Sequence, residues 1–231
     1  QLLHDRPDTE VILLDDAFQH RQVNAGLNIL LTDYRNLFSK DLLLPAGNLR
    51  DIRSAAKRAQ ILIVTKCKTD LSKEEKKEII NDLSAGENQC IYFSETVYGI
   101  PYHLFTKATG NINYNSPALL VTGIAKTMYL ESFLKKQVCN IEMLRFADHH
   151  IFDLDDLANI CKKFEALPGN GKVIFTTEKD GVRLKKFKKE LGNYPIYVMP
   201  IKHHFLFYEG QKFEDQVLQF INSFYRPKHA E

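Results

Sequence analysis

Two adjacent carboxylates, Asp15 and Asp16, follow four consecutive apolar residues at positions 11–14. A short, uninterrupted apolar run predicts a strand buried on both faces, as in a parallel sheet covered by helices. Ligands of such sheets bind beyond the carboxyl ends of the strands, where these two side chains would emerge. Two neighbouring carboxylates are costly to hold together unless a cation neutralises them, and hard oxygen ligands suit Mg²⁺. We therefore predict that Asp15 and Asp16 bind magnesium, the alternative being that they only cap a turn.

An apolar strand that ends in acidic residues is the Walker B arrangement of P-loop kinases and nucleotide hydrolases. Its companion motif, G-x-x-x-x-G-K-[ST], is absent from the 231 residues, and segment 123–127 lacks the glycine that should directly precede its lysine. The sequence therefore carries part of a nucleotide site. Because the phosphate-binding loop usually precedes the Walker B strand, we expect the natural protein to continue upstream. The alternative is a complete protein with a trimmed leader.

A third candidate for chemistry is Arg50, which ends the turn PAGNLR at positions 45–50. A guanidinium delivered by a rigid turn suits phosphate recognition or stabilisation of a transferring phosphoryl group. An ordinary surface loop is the alternative. Gln19 and His20 follow the acidic pair and favour a nucleotide role for that segment.

The segment Asp148-His149-His150 is the other notable cluster. Successive residues point in different directions, so these three make a poor metal chelate. An imidazole that an aspartate orients for proton transfer is chemically better. Residues 176–180 read as helix caps and first-turn acids at a strand-to-helix junction.

Composition limits the classes of function. Hydrophobic residues make up 44% and charged residues 26%, which is ordinary for a globular protein. A net charge of +2 gives no general attraction to nucleic acid, so no nucleic-acid partner is predicted. Four widely spaced cysteines without a C-x-x-C pair indicate neither a zinc site nor a disulfide framework. Within the 231 residues no run approaches the roughly 18 apolar residues of a membrane span.

Alternation of apolar runs and amphipathic segments predicts an α/β fold. We predict a first domain over 1–96, a hinge or linker rich in glycine, proline and asparagine over 97–117, and a smaller α/β domain over 118–231. Ser72 and Glu75 form the pattern of a capping box. The predicted strands are 10–14, 28–31, 60–65, 90–93, 118–122, 142–146, 172–176 and 195–199, and the predicted helices are 53–59, 72–84, 126–138, 154–164, 179–191 and 213–224.

Five blocks, in this order along the chain, together resemble the tetraacyldisaccharide 4′-kinases, the lipid A 4′-kinases. They are LDDAFQHR (14–21), LPAGNLR (44–50), VTGIA (121–125), FADHH (146–150) and TTEKDGVR (176–183). The resemblance covers most of the chain. It implies a first domain that is the remainder of a P-loop-kinase-like, Rossmann-like sheet, joined by a β-hinge to the smaller domain.

The resemblance also implies a function. ATP, with Mg²⁺, would phosphorylate the 4′-hydroxyl of a tetraacyl glucosamine disaccharide 1-phosphate to give the lipid A precursor lipid IVA. This reaction would take place at the cytoplasmic face of the bacterial inner membrane, with peripheral membrane association of the full-length protein. Hinge closure would bring the catalytic parts of the two domains together and exclude water.

By the same resemblance, Asp15 and Asp16 would serve Mg²⁺ and the nucleotide phosphates, with Asp16 also counted among the catalytic residues. Gln19 and His20 would contact the nucleotide or the metal shell. Arg50 would neutralise charge on the transferring phosphoryl group or grip the acceptor. His149 would orient or tune the catalytic base, and His150 matches the motif less closely.

The sequence departs from the family pattern at Ala17, where glycine is usual, and at Asp51, where glutamate is usual. It also lacks the family's P-loop, so the 231-residue chain by itself is predicted to be inactive. One alternative is a non-catalytic α/β module that binds a nucleotide or a partner. Another is a GTPase-like switch, against which Lys68 argues because it interrupts the base-reading pattern.

Overall fold

The computed structural model describes residues 2–6, 8–109, 113, 115–124 and 127–224. The chain divides into two compact units, one formed by Gln1–Thr96 with His203–Glu231 and the other by Val97–Lys202. The predicted boundary after residue 96 coincides with this division. The described residues 203–224, predicted to lie in the second domain, instead belong to the first unit, because Phe213 of the last helix packs edge-on against Tyr92 of the first sheet.

The α/β class is confirmed. In the described residues the strands are β1 (Ile29–Asp33), β2 (Ile61–Thr65), β3 (Cys90–Tyr98), β4 (Tyr102–His103), β5 (Pro117–Thr122), β6 (Asn140–Arg145), β7 (Val173–Thr177), β8 (Ile196–Met199) and β9 (Ile201–Phe205). The α-helices are α1 (Leu2–Asp5), α2 (Lys73–Leu83), α3 (Met128–Leu134), α4 (Leu154–Ala166), α5 (Glu178–Leu184), α6 (Lys188–Leu191) and α7 (Gly210–Ser223), with 3₁₀ turns at Arg53–Arg58, Lys185–Phe187 and Leu206–Tyr208.

The first unit is built on a sheet of order β1-β2-β3-β9, in which β1, β2 and β3 are parallel. Helix α2 buries Ile79 and Leu83 against Val64 and Phe93 of this sheet. The predicted capping box is confirmed: the Ser72 hydroxyl accepts the Glu75 N–H, and the Glu75 carboxylate accepts the Ser72 N–H. The local signal placed the helix correctly because its start depends only on neighbours in sequence.

The predicted strand over residues 10–14 is wrong. These residues form no ladder, and Leu13 is 91% exposed. An apolar run becomes a buried strand only where a neighbouring strand and a covering layer complete its hydrogen bonds and its packing. In the described residues β1 forms the edge of its sheet, and Leu31 on it is 61% exposed. Asp15 and Asp16 therefore follow an exposed segment.

The second unit contains a sheet of order β4-β8-β7-β5-β6, parallel except for β4. Every residue of β5 and β7 is buried, as expected for central strands covered on both faces. One apolar cluster includes Leu119 and Ile174, and another on these same strands includes Leu120 and Phe175. The carboxyl ends of β5, β6 and β7 lie at one edge, so the loops after β5 and β6 and the start of α5, which directly follows β7, are brought together.

The predicted strands and helices of this unit are present with shifted ends. The predicted helix 126–138 is observed as α3, and its predicted start at Lys126 lies outside the described residues. The predicted helix 179–191 is divided into α5, a 3₁₀ turn and α6, since Phe187 leaves helical geometry. The predicted linker 97–117 contributes β4, which pairs with β8. Across the described ranges, no helix has the length and apolar character needed to cross a membrane.

Candidate functional site

In the first unit, two of the sequence-predicted site residues form an ion pair. Arg50 donates from both terminal nitrogens to the Asp16 carboxylate, at 2.6 and 3.1 Å, across 34 positions of sequence. Hydrogen bonds from Arg50, and then its charge, lower the pKa of Asp16, and Asp16 in turn raises the pKa of Arg50. Both side chains are more than half exposed, so the pair contributes little to stability. Because the Arg50 side chain is exposed, its planar guanidinium is accessible to an anionic ligand.

The turn that carries Arg50 is held by a residue that sequence reasoning missed, Asp41. One oxygen of its carboxylate accepts the backbone N–H groups of Leu42 and Asn48, and the other accepts the side-chain amides of Asn36 and Asn48. The Asn36 bond is the main reason that the pKa of Asp41 is lowered. An aspartate and asparagines flanking a turn are the available signal, because their side chains commonly bond nearby backbone groups.

Gly47 allows this turn to close. A Cβ at this position would overlap the backbone of Leu42 and the carboxylate of Asp41. Gly47→Ala is expected to lower the free energy of unfolding by about 1–3 kcal/mol, as overpacking does, measured by chemical denaturation. Gly86→Ala is the matched control, since the nearest atom to its added methyl lies 3.7 Å away. Equal losses in the two variants would contradict the close approach at Gly47.

The remaining predicted residues of this unit are exposed and lie in the same turn. Asp16 adopts a left-handed φ of 50°, which aspartate tolerates better than most residues. The His20 N–H donates to the Ala17 carbonyl at 2.9 Å, so Gln19 and His20 lie in the turn that follows the acidic pair. Asp15 and Gln19 are exposed to solvent.

The carboxylates of Asp15 and Asp16 fit a magnesium ion that takes only one or two ligands from the protein. Within the part of the chain that the structure describes, no three His, Cys, Asp or Glu side chains are grouped to hold a metal ion. Mg²⁺ commonly binds one or two carboxylates together with phosphate and water oxygens, so a third protein ligand is not required. Both Asp16 oxygens are engaged by Arg50, so Asp15 is the carboxylate better suited to a direct bond.

Asp51, one of the two departures from the family pattern, is bound by two arginines. Arg21 and Arg58 donate to its two oxygens at 3.1 and 3.2 Å. The Ile52 N–H is the first cause, and the arginines are further causes, of a lowered pKa of Asp51. Arg58 also lies over the Phe18 ring, 4.4 Å from its centroid. These contacts tie the segment after the acidic pair to the segment after Arg50.

In the second unit, three sequence blocks meet around a buried carboxylate. Asp180 is fully buried, and its Oδ2 accepts the Gly123 N–H at 2.9 Å and the Thr177 hydroxyl at 2.8 Å. Arg183 donates to its Oδ1 at 3.2 Å. A Cβ at Gly123 would lie 3.2 Å from Asp180 Oδ1 and 3.3 Å from the Ala147 carbonyl, so a glycine permits this close approach.

Asp180 is the second residue whose importance sequence reasoning missed. Thr177 does cap α5, as the pattern predicted, by accepting the Asp180 N–H. The sequence alone assigned Asp180 only to the first turn of that helix. Its burial and its bond to the loop after β5 depend on strands far apart in sequence, and no local signal reports them.

The two neighbouring histidines have different environments. His150 stacks on Phe146, with ring centroids 4.7 Å apart, and its Nε2 lies 2.6 Å from the Asp156 carboxylate. Burial pushes the pKa of Asp156 up, but hydrogen bonds, chiefly from His150, outweigh it and the pKa is lowered. His150 is therefore a structural residue that joins the loop to the first turn of α4.

His149, in contrast, presents its ring to solvent, with 77% of the side chain exposed. Its backbone has a left-handed φ of 59°, and Asp148 accepts its N–H at 3.0 Å. The ring Nδ1 lies 3.3 Å from Arg183 Nη2, and Nε2 lies 3.7 Å from the Asp148 carboxylate. Of the two imidazoles, His149 is the one accessible to a ligand.

Comparison with known proteins supports the family resemblance that the five sequence blocks indicated. The family model described as LpxK, tetraacyldisaccharide-1-P 4'-kinase, matches residues 1–222. The chain belongs to this family. The tetraacyldisaccharide 4'-kinase of Flavobacterium johnsoniae is 42% identical over 228 residues, covering 98% of this chain and 64% of the relative. That of Phocaeicola vulgatus is 39% identical, covering 94% of this chain and 61% of the relative. The predicted resemblance is confirmed.

A solved LpxK shares the fold of this LpxK-family chain. The crystal structure of LpxK from Aquifex aeolicus, determined in complex with ATP, aligns with a TM-score of 0.64 and 22% identity. The alignment covers 95% of this chain and 60% of that one. The chain therefore spans about three-fifths of the length of the relatives that it matches.

Proposed function

We propose that this chain serves the ATP-dependent phosphorylation of the 4′-hydroxyl of a tetraacyl glucosamine disaccharide 1-phosphate, which gives lipid IVA. The main support for this proposal is the Asp16–Arg50 ion pair, which joins two of the family's sequence blocks into one exposed group. Membership of the LpxK family supports the identity of the reaction. The fold shared with an ATP-bound LpxK supports ATP as the donor.

Arg50 is proposed to stabilise charge on the transferring phosphoryl group. Phosphoryl transfer needs little covalent help from the protein, and its rate depends on positioning and charge neutralisation. A guanidinium offers two parallel donors to phosphate oxygens in a fixed geometry. Exchange of the exposed Asp16 carboxylate for phosphate costs little, and the turn anchored by Asp41 keeps the guanidinium in place.

Asp15, with Asp16, is proposed to hold Mg²⁺, and Gln19 and His20 to contact the nucleotide beside it. When bound, the metal neutralises charge on the phosphate oxygens. In the second unit, His149 is proposed to assist removal of the proton from the acceptor hydroxyl by orienting the catalytic base.

The site of action is proposed to be the cytoplasmic face of the bacterial inner membrane, with peripheral association of the protein. An acceptor with four acyl chains resides in a membrane rather than in water, since each buried CH₂ favours the apolar phase by about 0.8 kcal/mol. ATP is supplied from the cytoplasm. A flotation assay with lipid vesicles tests the association.

The proposal is tested by adding a P-loop, which this sequence lacks, from a relative. The chain is assayed alone and as a fusion to the part of the F. johnsoniae relative that it does not span. We expect no appreciable transfer of labelled phosphate by the chain alone, since its sequence contains no P-loop, and clear transfer by the fusion. A fusion carrying Asp15→Asn and Asp16→Asn is the matched inactive control.

Turnover by the chain alone would contradict only the expected inactivity, since it would mean that the triphosphate is held without a P-loop. A folded fusion that binds ATP but transfers no phosphate to the lipid acceptor would favour the non-catalytic binding module.

A further inference from the structure

We infer that Arg183, anchored by the buried Asp180, is a positioning residue that fixes the orientation and the tautomer of the His149 ring. The contribution to turnover rests on the proposed function, whereas the fixed ring rests on the geometry of the second unit alone. The juxtaposition that carries the inference is one guanidinium with a buried carboxylate on one terminal nitrogen and an exposed imidazole on the other.

Arg183 is anchored on its inner side. Its Nη1 lies 3.2 Å from Asp180 Oδ1 and 3.5 Å from the Gly123 carbonyl oxygen. A fully buried carboxylate requires a paired charge and further donors, and Asp180 receives both. Because the guanidinium is planar and rigid, the two contacts on Nη1 restrict the positions that Nη2 can take. Nη2 is the nitrogen that lies 3.3 Å from His149 Nδ1.

The chemistry of the two groups decides the tautomer. A guanidinium donates hydrogen bonds and has no acceptor, so His149 Nδ1 must accept. The neutral ring then carries its proton on Nε2, on the side of the Asp148 carboxylate, 3.7 Å away. His149 therefore presents Nε2–H as a hydrogen-bond donor.

Without the contact to Arg183, few interactions would restrict the rotation of the His149 ring. Most of the side chain is exposed, and an exposed side chain samples several rotamers. Its left-handed backbone is held by Asp148 and the surrounding loop, which fixes the Cβ direction but leaves the ring rotation free. Residues in sparsely populated backbone regions cluster at functional sites. Arg183 supplies the remaining constraint.

The first test is spectroscopic and uses the full chain, labelled with ¹⁵N at histidine. Ring correlation spectra of the wild type are expected to show His149 protonated at Nε2 alone in the neutral form. Arg183→Lys keeps a charge beside Asp180 but replaces the two terminal nitrogens of the guanidinium by one nitrogen, so the rigid link between Asp180 and His149 is lost. We expect this variant to fold, and its His149 signals to shift towards the average of the two tautomers.

Lys185→Met is the matched control, since Lys185 is an exposed cation two positions further along. We expect it to leave the His149 signals unchanged. Wild-type His149 signals in Arg183→Lys, or a wild-type ring protonated at Nδ1, would overturn the inference.

The second test measures turnover in the fusion. Arg183→Lys is expected to lower kcat about 10- to 100-fold with little change in KM for ATP, as misplacement of a catalytic group does. Combined with His149→Ala it should lower kcat no further than His149→Ala alone, because the two residues act as one unit. Full kcat in Arg183→Lys, in a fusion that His149→Ala impairs, would overturn the inference. If the fusion is inactive throughout, the proposed function fails and the ring spectra alone decide the role of Arg183.

Discussion

Arg50→Ala in the active fusion is expected to lower kcat at least ~10²-fold, as loss of one preorganised group that stabilises transition-state charge does. The variant removes both donors of the fork but leaves the turn intact, because Asp41 holds that turn through other residues. Since Arg50 is proposed to act on charge that develops during transfer, kcat and kcat/KM should fall together. Steady-state kinetics at saturating ATP and lipid measures both.

Lys57→Ala is the matched control for charge removal, since Lys57 is an exposed cation on the adjacent 3₁₀ turn. Its kcat should stay within about twofold of the parent value, in line with the small effects of surface substitutions. Near-normal kcat in Arg50→Ala would remove Arg50 from the mechanism. A rise in KM for ATP with unchanged kcat would reassign it to uniform substrate binding.

His149→Ala is expected to lower kcat at least ~10²-fold, the lower range for loss of a group that takes part in proton transfer. The ring is exposed, so its removal leaves no buried cavity and the free energy of unfolding should change little. Turnover and denaturation of the same preparation separate these effects.

His203→Ala, at an exposed histidine of β9, is the matched control and should retain activity. His150→Ala provides the opposite pattern. It removes a stacked ring and the bond to Asp156, so we expect lower stability with turnover per folded molecule retained. If His150→Ala reduces turnover of the folded enzyme and His149→Ala does not, the assignment of the two imidazoles is reversed.

Features that depend on near neighbours along the chain were predictable from the amino-acid sequence. The Ser72–Glu75 capping box was predictable because both partners lie within one helical turn. The buried strands β5 and β7 were predictable because a central parallel strand must be apolar throughout. The five ordered blocks identified the family because the side chains of a catalytic site constrain residue type directly.

The exposure of residues 10–14 was not predictable, although their apolar run resembles that of β5, because burial depends on what packs alongside. Nor was the assignment of the described residues 203–224 to the first unit, which depends on ring packing between Phe213 and Tyr92. The contacts of Asp180 with Gly123 and Arg183, and of Arg183 with His149, likewise join the loops after β5 and β6 to helix α5. These contacts join residues far apart in sequence, and local propensity contains no information about which distant partner a side chain meets.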